Sequence, residues 1–163
     1  MPYARQYDLQ EIRGMLQIGE GSKNVKSPVP VNKRAPAHAI GLHGGPSQPS
    51  LIARVMGKEK KSNASAYRDF DTLVRATHEI INSAAGQTVL AGFDSGATSR
   101  EMITAALTNG NYYSAAEVKD NAPNTPRHSH TERGKRATEG SVLVEKFIAG
   151  KLWVQTSFPT KLI

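Results

Sequence analysis

A chain of 163 residues fits one ordinary domain and is too short for two of full size. It has no cysteine, which excludes a disulfide framework, a thiolate zinc site and a cysteine nucleophile, and no apolar stretch approaches the roughly 20 residues of a membrane span. With 21 lysines and arginines against 14 aspartates and glutamates, the net charge is +7, so polyanions are natural partners and stable membrane insertion is not expected.

In chain order, the first helical signal is Leu9, Ile12, Met15 and Leu16, introduced by Asp8 as an N-cap and closed by Gly19 and Gly21. From Glu20 to Pro36 the chain is rich in Ser, Lys, Asn and Pro and reads as an extended linker, because proline disfavours helix at and before itself. The expected division is therefore an N-terminal helix and linker over 1–36 and a main domain over 37–163. A second helix is expected from Ser50 to about Gly57, with Leu51, Ile52 and Val55 as its apolar stripe and Arg54 beside it. The clearest helix spans Asp69 to Ser83, where Phe70, Leu73, Val74, Thr77, Ile80 and Ile81 recur at helical spacing and Gly86 follows as a stop.

After Gly86 the residues Thr88 to Phe93 read as a strand, Asp94 to Gly96 as a turn, and Ser99 to Leu107 as a short helix. Residues 119–138 are polar, basic and proline-containing, and read as a long functional or disordered loop. "SVLVEKF" and "KLWVQTSF", rich in β-branched and aromatic residues, form a hairpin about Ala149 and Gly150. Helices early and a hairpin late give an α+β fold, N-terminal helices followed by a twisted antiparallel sheet.

The common chemistries leave few openings. No phosphate loop of the Walker type or dinucleotide fingerprint occurs, so no nucleotide cofactor is expected. The spacing of His38, His43, His128 and His130 matches no zinc pattern, so no metal is expected, and "DSGATS" is not a nucleophile elbow. Metal-free RNA cleavage needs a base for the ribose 2′-hydroxyl, an acid for the leaving 5′-oxygen, and donors for the charge that develops on phosphate. Histidine titrates near neutrality and the arginine fork donates bidentately to phosphate, so a histidine, an arginine and a hydroxyl suffice.

Those residues occur in a pattern. "HAIGLHGG", then "LIAR" with Arg54 eleven residues after His43, then "ASAYRDFDTLVRATHEII" and finally "KLWVQTSFP" resemble the C-terminal ribonuclease toxin domains of bacterial contact-dependent growth inhibition (CdiA-type) and related polymorphic toxins, over about residues 37–160. The resemblance is to the RNase A-like branch without disulfides, with a barnase- or colicin-type α+β nuclease fold as the alternative. It implies His43 as catalytic histidine, Arg54 as the phosphate-binding cation and Thr156 as hydroxyl donor, with Phe158 standing where the pattern carries tyrosine. His38, Ser157, His128 and His130 are candidates for supporting roles. The basic runs Lys58, Lys60, Lys61 and Arg133, Lys135, Arg136 are candidates for tracking an RNA backbone.

The resemblance further implies an RNA substrate, transfer RNA among the candidates, and a cognate immunity protein, acidic where it covers the cationic cleft. It implies export or surface display within a larger toxin, action in the target cytoplasm, residues 1–36 as a remnant of an entry region, and an open question of a host factor. The competing reading is a basic nucleic-acid-binding module without catalysis. The aromatic content of 6%, without interleaved aromatics at sheet spacing, speaks against it.

Overall fold

A computed structural model describes residues 1–57, 59, 61–108, 113–122, 129–148 and 150–163, and for Gln48, Arg133 and Lys135 the backbone alone. The fold is α+β, with helices packed on an antiparallel sheet. Helix α1 (Leu9–Gly19) starts where Asp8 accepts the Glu11 amide at 2.7 Å and Glu11 answers the Asp8 amide, a capping box. Its stripe of Ile12 and Leu16 is fully buried in the main core, so α1 is part of that core and is not held apart by residues 20–36. The proline-rich composition of that stretch conceals its tertiary ties. Asn24 donates to the Lys146 carbonyl at 3.1 Å, the Ser27 hydroxyl donates to the buried Glu145 carboxylate, and Ala37 bridges to Glu20.

Two short helices follow, α2 (Ala39–His43) and α3 (Gln48–Met56), then strand β1 (Asn63–Tyr67). Helix α4 (Phe70–Asn82) runs from its Asp69 cap, which accepts the Thr72 amide at 2.8 Å, to Ser83, and buries Leu73, Val74, Ile80 and Ile81. Ser83 also caps α5 (Ala84–Ser95) by accepting the Gly86 amide at 3.1 Å. Residues 88–93 are therefore helix, and the expected strand is corrected. Gly86, Leu90 and Phe93 are buried at steps of four and three, the helical repeat, and Gly86 sits in the first turn against the α4 carbonyls of Ile80 and Ile81 where no side chain fits.

A second correction concerns residues 99–107, expected as helix, where β2 (Arg100–Ala106) pairs antiparallel with β4. Local helix propensity yields to a ladder that sets Ile103 against Val142 in the core. The expected loop over 119–138 is shorter than its composition suggests. Strand β3 (Ser114–Asp120) enters it and β4 (His130–Lys146) begins inside it, pairing Asp120 with His130. The expected hairpin is present as β4 and β5 (Leu152–Leu162), with Trp153 and Phe147 edge to face at 5.3 Å.

Strand β4 is the spine of the sheet. Its first part pairs with β3, which carries β1 on its other side, and its second part pairs with β2 and β5. The main core lies between α1, α4, α5 and the second part of β4, while a smaller cluster of Leu51, Val55, Ala64, Ala66 and Val118 seats α3 on β1 and β3. The valley between these two packed bodies is lined by α2, α3, β1 and β5. No helix among the described residues is long and apolar enough to cross a membrane.

Candidate functional site

Five residues spanning one and a half turns are too few to hold a helix alone, so α2 must be fixed from outside. Its N-terminus rests on the Glu20 carboxylate, which accepts the Ile40 and Gly41 amides at 3.0 and 2.7 Å and complements the positive end of the helix. The His38 amide, at the N-cap position, donates to the Gln155 carbonyl at 3.1 Å, and the Gln155 side-chain amide donates to the Ala35 and Pro36 carbonyls, both at 3.0 Å. Gln155 is the unpaired residue of a β-bulge, for Leu143 pairs with Thr156 and Val144 with Val154. At the other end the chain leaves α2 through Gly44 and Gly45. A Cβ on Gly44 would stand 2.9 Å from the Ile40 carbonyl oxygen, and Gly45 has φ +100°, so both glycines of the motif are needed for the turn.

That turn presses His43 onto the free edge of β1. Its Nδ1–H donates to the Ser65 carbonyl at 2.6 Å, which leaves Nε2 as the acceptor of the neutral ring. The ring is buried, and the loss of water pushes its pKa down to about 4, against the Ser65 bond that raises it and with the Arg54 and His38 charges lowering it further. His38 and His43, five residues apart, place their ring centroids 5.8 Å apart, and Phe158 packs on His43 at 5.3 Å.

These rings open on a cavity of about 250 Å³ lined also by Arg54, Asn63, Ser65, Thr156 and Thr160. Arg54 arrives from the last turn of α3, with its side chain 15% exposed and its Nε donating to the more open Glu59 at 3.2 Å. Two polar atoms in this cavity are buried without a hydrogen-bond partner among the described residues, Arg54 Nη1 and Thr156 Oγ1. Buried groups of this kind are costly unless something satisfies them, and a guanidinium nitrogen and a hydroxyl lining one cavity are donors suited to an anion.

The structure thus brings together His38, His43 and Arg54 with Thr156 and Phe158, which lie more than a hundred positions further along the chain. It takes Ser157 elsewhere. Thr156 and Phe158 share one face of β5, so Ser157 points the opposite way, fully buried, to a hydrogen bond with Thr77 of α4 at 2.7 Å. His130 lies at the start of β4 against Glu132 and does not line the cavity. Lys61 and Arg136 are exposed, and neither lines it. Lys58, Lys60 and His128 lie outside the described residues, as do the side chains of Arg133 and Lys135. Among the described residues no group of three His, Asp or Glu side chains is arranged to hold a metal ion.

Glu20, Ser65 and Gln155 escape the sequence reading. Each acts through a backbone group or on one, at long range, and nothing in their local sequence marks them.

No protein-family model matches the chain, and no curated protein matches it. Among solved structures, it is similar to a chain of the CdiA-CT/CdiI complex from Y. kristensenii 33638, with a TM-score of 0.56 and 18% identity, over 77% of this chain and 100% of that one. At this identity the likeness is one of fold.

Proposed function

We propose that this chain is the ribonuclease domain of an interbacterial toxin, cutting RNA by attack of a ribose 2′-hydroxyl on the adjacent phosphodiester without a metal ion. The observation that carries the reading is the meeting, in one cavity, of a neutral histidine with its Nε2 left as acceptor and two buried donors without a partner among the described residues, Arg54 Nη1 and Thr156 Oγ1. In this reading Nε2 of His43 takes the 2′-hydroxyl proton. Arg54 and Thr156 receive the non-bridging phosphoryl oxygens, whose charge grows in the transition state. An anionic phosphate beside His43 opposes the effect of Arg54 and raises the basicity of the ring where the proton is transferred. The Ser65 carbonyl fixes the tautomer and steadies the imidazolium that forms.

The fold likeness to a chain of the CdiA-CT/CdiI complex supports the toxin assignment and, with it, delivery from a larger surface or secreted protein into a target cytoplasm. The same likeness supports a cognate immunity protein. The net charge of +7 favours an acidic face on that partner and suits a polyanionic substrate, transfer RNA among the candidates. The placement of histidine, arginine and a Thr-x-aromatic pair supports the RNase A-like branch.

The test is a digest of total bacterial RNA by the purified chain in EDTA, beside His43→Ala, with the new 3′ ends identified. Cleavage that leaves cyclic phosphate and falls by roughly a thousandfold or more in the variant is the expected result. RNA bound but left intact overturns the reading in favour of a binding module, and RNA cut equally by the variant removes His43 from the reaction and overturns the assignment of the cavity.

A further inference from the structure

The reaction proposed above needs a second proton-transfer group, and Phe158 has no hydroxyl to supply it. Among the described residues, the cavity is lined by one other side chain whose ring nitrogens can both donate and accept a proton. His38 lines it, half-exposed, with its ring 5.8 Å from that of His43. The other described histidines are elsewhere, His78 in a separate cleft lined also by Tyr7, Glu79 and Thr108, and His130 beside Glu132.

We propose that His38 is the general acid, donating its proton to the 5′-oxygen that leaves as His43 takes the proton of the 2′-hydroxyl. The step balances. The 2′-oxygen forms a bond to phosphorus, the bond from phosphorus to the 5′-oxygen breaks, one proton enters on His38 and one departs on His43, and the products are a 2′,3′-cyclic phosphate and a 5′-hydroxyl. The geometry suits the division. An in-line displacement puts the attacking and leaving oxygens on opposite sides of phosphorus, and two rings at the two ends of a five-residue helix can stand on those sides, each within hydrogen-bond reach of one oxygen. Their surroundings differ in the matching sense. His43 is buried and tied through Nδ1 to a 2.6 Å bond, whereas His38 Nδ1 has only the longer 3.4 Å contact with the Pro36 carbonyl and its ring is half-exposed. The anchoring of the His38 backbone by Gln155 then places the acid, and does not merely start a helix.

This inference rests on the ribonuclease reading, and the experiment separates the two. An oligoribonucleotide containing the cut linkage is made with oxygen or with sulfur at the bridging 5′ position. A thiolate leaves without a proton, so the sulfur substrate needs the base and not the acid. His38→Gln, which keeps the backbone bond to Gln155, is expected to lose roughly a hundredfold or more on the oxygen substrate while staying within about threefold on the sulfur one. His43→Ala loses on both. Equal losses on the two substrates, or no loss on oxygen, overturn the assignment of His38 while leaving the ribonuclease reading intact. A wild-type chain that cuts neither substrate overturns both. Because the ratio is taken within one variant, partial unfolding cancels, and His38→Asn serves for the same ratio if the glutamine variant does not fold.

Discussion

Helices α4 and α2 sit on neighbouring parts of the same sheet and are built on opposite principles. Helix α4 has thirteen residues, a side-chain cap and a largely apolar stripe, so its own sequence specifies both its conformation and the face it buries. Helix α2 has five residues and no side-chain cap, and depends on a carboxylate from residue 20, a bulged glutamine from residue 155 and a carbonyl from residue 65. The first supplies stability and the second carries the two histidines. Precision in this protein comes from long-range polar ties laid over a core that does not need them.

That contrast can be broken from the side of the core. Ile80→Ala removes a fully buried side chain from α4 and should cost about 3–4 kcal/mol in denaturant unfolding, with cleavage at saturating RNA little changed in the fraction that remains folded. Comparable loss of activity and stability together would show that the two helices are not independent.

Titration tests the sealed ring. With its folded pKa pushed down to about 4, His43 stays neutral in the native state while the unfolded chain takes up a proton below about 6.5. The stability due to this ring is complete above pH 6.5 and declines as pH falls towards 4, by up to about 3 kcal/mol. The difference between wild-type and His43→Gln unfolding curves over pH 4–7 should show that slope, and a flat difference would mean the ring is hydrated.

A smaller effect sharpens the picture of α2. Glu20→Gln removes the charge from the helix N-terminus while retaining one acceptor oxygen, and should cost about 1 kcal/mol of global stability or less. Amide exchange at Ile40 and Gly41 should rise more than at any site in α4. Protection that is unchanged at these two amides would assign the position of α2 to packing alone.

The sequence was most legible where local chemistry and tertiary structure agree. Asp8, Asp69 and the stripe from Leu73 to Ile81 declare their helices, and the β4–β5 hairpin is visible in its β-branched residues. It misleads where a long-range pairing overrides local preference, as with Ile103 on β2, and where an apolar run that obeys the helical repeat resembles a strand, as with Leu90 and Phe93. The site divides in the same way. Histidine, arginine and threonine stand out as residue types, and the structure gathers His43, Arg54 and Thr156 in one cavity. Ser157 is a candidate for a supporting role, but the two-residue period of a strand sends it to Thr77 on the other face. The groups that position the histidines use main-chain atoms, which carry no signature in the sequence.

The bulge at Gln155 makes one position of β5 dispensable to the sheet and indispensable to the cavity. Deleting that residue would remove the register shift between Leu143 and Val144, while residues 35–38 lost the side-chain amide that donates to Ala35 and Pro36 and the carbonyl that receives His38. Every side chain of the cavity would still be present. Exchange over residues 39–43, rather than melting temperature, would report the damage. A one-residue gap at this place in a chain of the same fold would therefore mark an altered cavity that a check of His43, Arg54 and Thr156 would miss.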